Sequence, residues 1–217
     1  MENIAKFIQH DGCRALLTIL LNGRYYPISD LAYMTGMTTQ EIRTHVNNLS
    51  EENIVAGEIN GRHSYYGIDN TAIKEKVKDF IRPMPKPEIR PLKQHSGREA
   101  VSYVRTCYSH LAGEAGVKLA DALLEHGVVV KGEREFYVTT KGENFFRDLD
   151  IDISRLKSGK KCLDWTERRH HIAGPLGKAL LEKFLERGWM ERVPESRSLH
   201  ITEEGKQQFR QKFALEI

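Results

Sequence analysis

Gln40, Arg43, Thr44 and Asn47 recur at spacings of three and four in a stretch whose intervening Ile42, Val46 and Leu49 are apolar. On a helix that spacing puts the polar set on one face and the apolar set on the other. The chemistry offered is recognition of base edges: the amides of Gln and Asn match adenine, and the guanidinium of Arg matches guanine. Thr38 and Thr39 open the same stretch, where hydroxyls at a helix N-terminus bind phosphate. His45 completes this candidate DNA-contacting helix. Further on, Asn60-Gly61 signals a hairpin because both positions accept positive φ. Arg62 and His63 beside that turn are expected to project toward the DNA backbone or minor groove.

A second set of reactive side chains lies in the other half of the chain. Cys107 and His110 are three apart, a spacing that fits one helical face, and Cys162, His170 and His171 occupy the matching region of a repeated segment. Such sets bind zinc or haem, and a cysteine pair serves as a redox switch. No C-x-x-C or H-x-x-x-H spacing accompanies them, so neither a metal nor a cofactor is expected. The repetition of His110 and His171 favours capping or hydrogen bonding within the fold. Asp164, Trp165 and Arg168 lie in a polar run beside an aromatic, which either frames a small-molecule pocket or forms a buried salt-bridge network; the structural role is favoured. Cys107, His110, Cys162, Asp164, Trp165, Arg168 and His171 together are the candidate effector region. Asp164 and Glu167, three apart on an expected helix, read as partners for Arg168 or Arg169. No catalytic set is present: there is no G-x-S-x-G, no P-loop and no G-x-G-x-x-G, and no enzyme is expected.

The elements that position these residues follow from caps and breakers. Asp11 is expected to cap a helix carrying Cys13, Leu16, Leu17, Ile19, Leu20 and Leu21. Ser29 is expected to cap a short helix that Gly36 ends, and Thr38-Thr39 to cap the next. A hairpin through Asn60-Gly61 follows, then a helix over 72–80 with Ile73, Val77, Phe80 and Ile81 as its stripe. This order is that of a winged helix-turn-helix. Pro83, Pro85, Pro87 and Pro91 then exclude a helix interior and favour a semi-rigid spacer. Beyond it, His110-Leu111-Ala112-Gly113-Glu114-Ala115-Gly116 recurs as His171-Ile172-Ala173-Gly174-Pro175-Leu176-Gly177. Each copy continues into an apolar helix, a strand-like pair and a closing helix. The expected organisation is a winged helix-turn-helix in residues 1–81, a proline-rich linker in 82–97, and two degenerate winged-helix units packed together in 98–217. The fold class is mostly α with small β-hairpins, α+β.

Composition bounds the partners. The 217 residues are 40% hydrophobic and 29% charged, as in ordinary globular proteins. The three cysteines form no close pair, which argues against a disulfide framework and for a reducing compartment. The absence of a signal-like start or a long apolar run points to the cytoplasm, with the nucleoid as the DNA-bound location, and to no membrane partner. Net charge is only +3, and residues 1–81 carry eight Lys or Arg against ten Asp or Glu. Affinity for DNA must therefore come from the local placement of Arg43, Arg62 and His63 and from dimerisation.

Over Cys13 to Phe80 the chain resembles the ArsR/SmtB family of winged-helix repressors. The resemblance is carried by Leu31-Ala32 through Gly36, Thr39 to Leu49, and Gly61-Arg62-His63-Ser64-Tyr65-Tyr66. The remainder is similar to a longer subgroup, through Arg105-Thr106-Cys107-Tyr108-x-His110-Leu111-Ala112-Gly113 and Cys162-Leu163-Asp164-Trp165-x-Glu167-Arg168-Arg169-x-His171-x-Ala173-Gly174. The resemblance implies a homodimeric regulator that binds double-stranded DNA at an inverted-repeat operator and pairs through the first and last helices of its N-terminal domain. Repression is expected to be released by a signal acting on the C-terminal half, with a small-molecule inducer as a candidate partner. The metal ligands of that family's sensors are missing from Asp30-Leu31-Ala32-Tyr33-Met34 and from Lys74-Glu75-Lys76-Val77-Lys78, so arsenic or zinc sensing of that kind is not implied. The rival reading is a protein-interaction module built from tandem winged helices.

Overall fold

The computed structural model describes residues 3–92 and 102–217, and the chain divides into two compact units, residues 1–94 and 95–217. It is a mixed α/β protein whose sheets are small and antiparallel.

The first unit begins with α1 (Asn3–Ile8) and α2 (Asp11–Leu20). His10, not Asp11, caps α2: its Nδ1 accepts from the Cys13 amide, while Asp11 is the first helical residue and pairs with Arg14 at 2.7 Å. After β1 (Tyr26–Pro27) come α3 (Ile28–Thr35) and α4 (Thr39–Glu51). Ser29 does not cap α3. Pro27 holds that position without a side-chain bond, and its fixed φ pre-sets the entry. Gly36 ends α3 at φ 75, a conformation that L side chains strain to adopt. The wing is β2 (Ala56–Asn60) and β3 (His63–Gly67), with β1 on the outer side of β3. Asn60 pairs with His63 across the ladder, so Gly61-Arg62 makes the turn, one residue later than the Asn-Gly signal suggests. Gly61 supplies the positive φ, 62°. Asn70 caps α5 (Thr71–Ile81), which buries Val77 and half-buries Ile73 and Ile81, while Phe80 stays 44% exposed instead of joining the stripe.

The described part of the proline-rich segment is no spacer. Met84, Ile89 and Leu92 pack against the first unit's core, and the Arg90 amide donates to the Met34 carbonyl at 2.8 Å. Three apolar side chains at this spacing supply the packing that prolines alone would not. Residues 93–97 of the expected linker, and 98–101 of the expected C-terminal domain, lie outside the described residues.

The second unit runs β4 (Arg105–Cys107), β5 (His110–Ala112), α6 (Gly113–Glu125), β6 (Val129–Lys131), β7 (Glu135–Val138), α7 (Thr140–Asp148). It then repeats as β8 (Ser158–Leu163), β9 (His170–Ala173), α8 (Gly174–Glu186), β10 (Met190–Arg192), β11 (Leu199–Ile201), α9 (Glu203–Phe213). Among the described residues each copy is hairpin, helix, hairpin, helix. The winged-helix layout expected for each copy, which would begin with a helix, is corrected at its start, where the residues around each His are extended.

The copies also exchange strands. β8 of the second copy pairs with β7 of the first, giving one sheet in the order β6-β7-β8-β9. Reciprocally, β4 of the first copy lies along β11 of the second: Arg105 bridges Ser198, the Thr106 amide donates to the Arg197 carbonyl, and the Leu199 amide donates to the Val104 carbonyl. A single apolar core serves both copies, with Phe136 and Phe146 from one beside Phe184, Trp189, Phe209 and Phe213 from the other.

Candidate functional site

On α4, the sequence-derived helix pattern becomes a surface. Ile42, Val46 and Leu49 are buried against the first unit's core, while Thr39, Gln40, Arg43, Thr44 and Asn47 are all exposed. Thr38 is the N-cap of a capping box. Its hydroxyl accepts from the Glu41 amide at 3.2 Å and donates to the Glu41 carboxylate at 2.7 Å, and that carboxylate also accepts from the Thr38 amide at 2.8 Å. The Thr38 hydroxyl is thus committed to the helix start, while the exposed Thr39 hydroxyl stands outside the capping box. The Thr38 amide is the main reason the Glu41 carboxyl is held below its ordinary range. Thr44 donates its hydroxyl to the Gln40 carbonyl at 3.1 Å. His45 departs from the expected set. It is half-buried and packs on His10 with ring centroids 4.6 Å apart, so burial first, and the His10 charge second, lower its pKa. Arg62 and His63 are exposed at the wing tip, His63 edge-on to Tyr65.

In the second unit, Cys107 and His110 do not share a helical face. They are cross-strand partners at the end of the β4–β5 hairpin, joined by a tight turn in which Tyr108 has φ 54. Cys162 and His171 hold the same relation across β8 and β9. The two hairpins meet through these residues. His110 Nε2 and His171 Nε2 are 3.0 Å apart, and the four ligand atoms of Cys107, His110, Cys162 and His171 lie within 4.8 Å of one another. The repeated glycines make this approach feasible. A Cβ on Gly116 would meet the Leu111 carbonyl at 2.7 Å and sit 3.6 Å from the His171 Cβ; one on Gly177 would collide with the Ile172 carbonyl and lie 3.1 Å from the His110 Cβ.

Asp164 sits behind this cluster in a turn, not on the helix expected for it. Its carboxylate is wholly buried and accepts from Arg105 Nη2 at 2.7 Å, the Thr166 hydroxyl at 2.7 Å, the Thr166 amide at 3.0 Å, the Glu167 amide at 3.2 Å and the Gly113 amide at 2.8 Å. Its Oδ2 is also 3.3 Å from His171 Nδ1. Burial alone would raise the Asp164 pKa, but the bonds from His171 and Thr166 and the Arg105 charge outweigh it and hold the carboxyl far below the usual range. His171 shows the reverse balance: burial would lower its pKa, and the bonds to Asp164 and Cys107 raise it. The Cys107 thiol is held well below the ordinary thiol range by hydrogen bonding to Cys162 first, then to His110 and His171. Trp165 is 43% exposed and lies over the Arg105 guanidinium, 5.2 Å from Cζ to the ring centroid. Arg168, at φ 57, closes the Asp164 turn by donating its amide to the Asp164 carbonyl.

Comparison with known proteins gives the family. The chain is 36% identical to an uncharacterized HTH-type transcriptional regulator, YdfF of Bacillus subtilis (strain 168), over 222 residues, covering 100% of this chain and 98% of the relative. The chain belongs to the HTH-type transcriptional regulators. No family profile matches the regulator. Among solved structures, that of the AntR antimony-specific transcriptional repressor overlaps 37% of the regulator and 72% of its own chain, at 20% identity and a TM-score of 0.33, too slight to carry an argument. Among its described residues no helix is long and apolar enough to cross a membrane.

Of the effector-region residues, the regulator's fold brings Cys107, His110, Cys162 and His171 into one group with Asp164 behind it, and leaves Trp165 and Arg168 at its edge. Arg105, 2% exposed and central to the network, is a residue that sequence reasoning missed as functional. The signal was there in the pairing of a repeated hairpin with one unmatched acidic residue, Asp164, that needs a buried cation.

Proposed function

We propose that the chain is a sequence-specific DNA-binding regulator of the ArsR/SmtB type, acting as a homodimeric repressor that a signal to the C-terminal half releases. The observation that carries this reading is the exposed row Gln40, Arg43, Thr44 and Asn47 on a capped helix, with the exposed Arg62 and His63 of the wing. Seating α4 in the major groove gives Arg43 and Gln40 base edges, and Arg62 phosphate. The full-length likeness to an HTH-type transcriptional regulator supports DNA as the partner. Two-fold pairing through the first and last helices of the N-terminal unit fits the apolar surface that Phe80 exposes on α5, and predicts an inverted repeat with half-sites one or two helical turns apart.

The test is fluorescence anisotropy of the full chain titrated onto duplex from upstream of its own gene, at two salt concentrations, against scrambled competitor. Tight, salt-sensitive binding that survives the competitor supports the reading. Arg62→Ala then weakens every duplex and lowers the salt slope by about one, whereas Arg43→Ala relaxes base preference. Equal binding to scrambled duplex by a folded dimer refutes it and favours the interaction module, to which the acidic balance of residues 1–81 is better suited.

A further inference from the structure

We propose that Cys107 and Cys162, with the Nε2 atoms of His110 and His171, form a four-coordinate site for one thiophilic transition-metal ion of the zinc class. The argument is geometric. A tetrahedral zinc site with bonds of about 2.05 Å to nitrogen and 2.3 Å to sulfur separates two nitrogens by roughly 3.3 Å and two sulfurs by about 3.8 Å. The two Nε2 atoms are already 3.0 Å apart and all four donors lie within 4.8 Å, so small side-chain rotations reach that shape. Two thiols and two imidazoles are the donor set that zinc prefers over magnesium or calcium.

The surroundings are those of a ligand site. Both histidines are buried, at 5% and 1% exposure, so the nitrogens are dry. Both cysteines are half-buried, leaving a solvent side by which an ion enters. Asp164 Oδ2 lies 3.3 Å from His171 Nδ1, an atom with no hydrogen-bond partner of good geometry among the described residues; a small ring rotation completes the carboxylate–histidine pairing that fixes a tautomer and turns the Nε2 lone pair toward a metal. Asp164 is itself locked by Arg105 and by the Gly113 amide. Each copy of the repeat supplies one Cys and one His from neighbouring strands, so the ion pins the two hairpins together. With all four positions filled by side chains the site has no place for a substrate, and it holds its ion in a closed structural or sensory role.

This inference is independent of DNA binding and is tested without DNA. Full-length protein is stripped of metal under reducing conditions, then titrated with Zn(II) against a chromophoric chelator and, separately, with Co(II) under visible and near-ultraviolet spectroscopy. The expected result is one equivalent per chain, with the intense ligand-field bands of tetrahedral cobalt and a thiolate-to-cobalt charge-transfer band. Cys13→Ser retains both. Cys107→Ser, Cys162→Ser and His171→Gln lose stoichiometric binding with unchanged far-ultraviolet circular dichroism, and Asp164→Asn weakens affinity about 10- to 100-fold. Absence of zinc or cobalt binding by the wild-type chain overturns the proposal whatever the variants do. So does a cobalt spectrum that Cys107→Ser leaves unchanged, or quantitative Cys107–Cys162 disulfide in protein that then takes up no metal after reduction.

Discussion

Removing the Asp164 carboxylate tests the energetics of the second unit directly. Asp164 and Arg105 are paired at 2.7 Å with side chains 0% and 2% exposed. Asp164→Ala takes from the buried Arg105 guanidinium its carboxylate partner at 2.7 Å, and from the Gly113 amide its acceptor at 2.8 Å. Breaking a buried pair from one side costs about 3–5 kcal/mol. Asp164→Asn keeps one oxygen acceptor and loses the charge, so about 2 kcal/mol is expected, one charge-assisted hydrogen bond's worth. The assay is urea unfolding of metal-free protein followed by tryptophan fluorescence. The only two tryptophans, Trp165 and Trp189, both lie in the second unit, so the signal reports that unit alone. A loss below about 1 kcal/mol for Asp164→Ala, the level of an exposed pair, would refute the claim that this pair anchors the unit. The pH dependence supplies a sign. The Asp164 carboxyl is held below its unfolded value, so its contribution is full above that value, about 3.9, and is lost as pH falls through the folded pKa. Wild type should therefore lose stability progressively below about pH 4, and Asp164→Asn should lack that part of the slope.

Other outcomes follow from single contacts. Thr38→Ala removes the hydroxyl half of the capping box at α4, leaving only the backbone amide bond to Glu41, and should lower first-unit stability by about 1 kcal/mol, read as a circular-dichroism transition absent from the tryptophan signal. Gly177→Ala drives a methyl into the Ile172 carbonyl and toward His110; it should destabilise the second unit by about 1–3 kcal/mol by overpacking and abolish cobalt binding while α4 still forms. Burial pushes the Cys13 thiol up to about 12, so iodoacetamide at pH 8 should modify Cys107 at least tenfold faster than Cys13 in metal-free protein, by peptide mass spectrometry.

The first unit was largely legible because its signals are local. Ile42, Val46 and Leu49 carry the helical period, Gly36 stops α3, and Asn70 caps α5 within one turn of the residues it serves. The errors there are short-range competitions: Pro27 outranks Ser29 at the start of α3, His10 outranks Asp11 at α2, and the wing turn moves one residue toward Arg62. The second unit was legible only as a duplication. A three-residue separation fits both an i,i+3 helical pair and the facing residues of a tight hairpin, so Cys107–His110 gave no means to choose. What unites the two hairpins is strand exchange between copies, and the Thr106 hydroxyl contact with Arg197 spans 91 residues of chain. No local pattern encodes a partner that distant.

That exchange has a consequence for synthesis. As the chain leaves the ribosome, β7 waits for β8, and β4 waits until residues 197–199 emerge, Arg197 coming 91 residues after Thr106. The nascent first copy therefore carries an open edge at β7 until β8 emerges, and one at β4 for most of the time the second copy is being made, a state prone to pairing with neighbouring chains. A frame ending after α7 leaves both edges permanently open, so the two copies are obliged to fold as one unit.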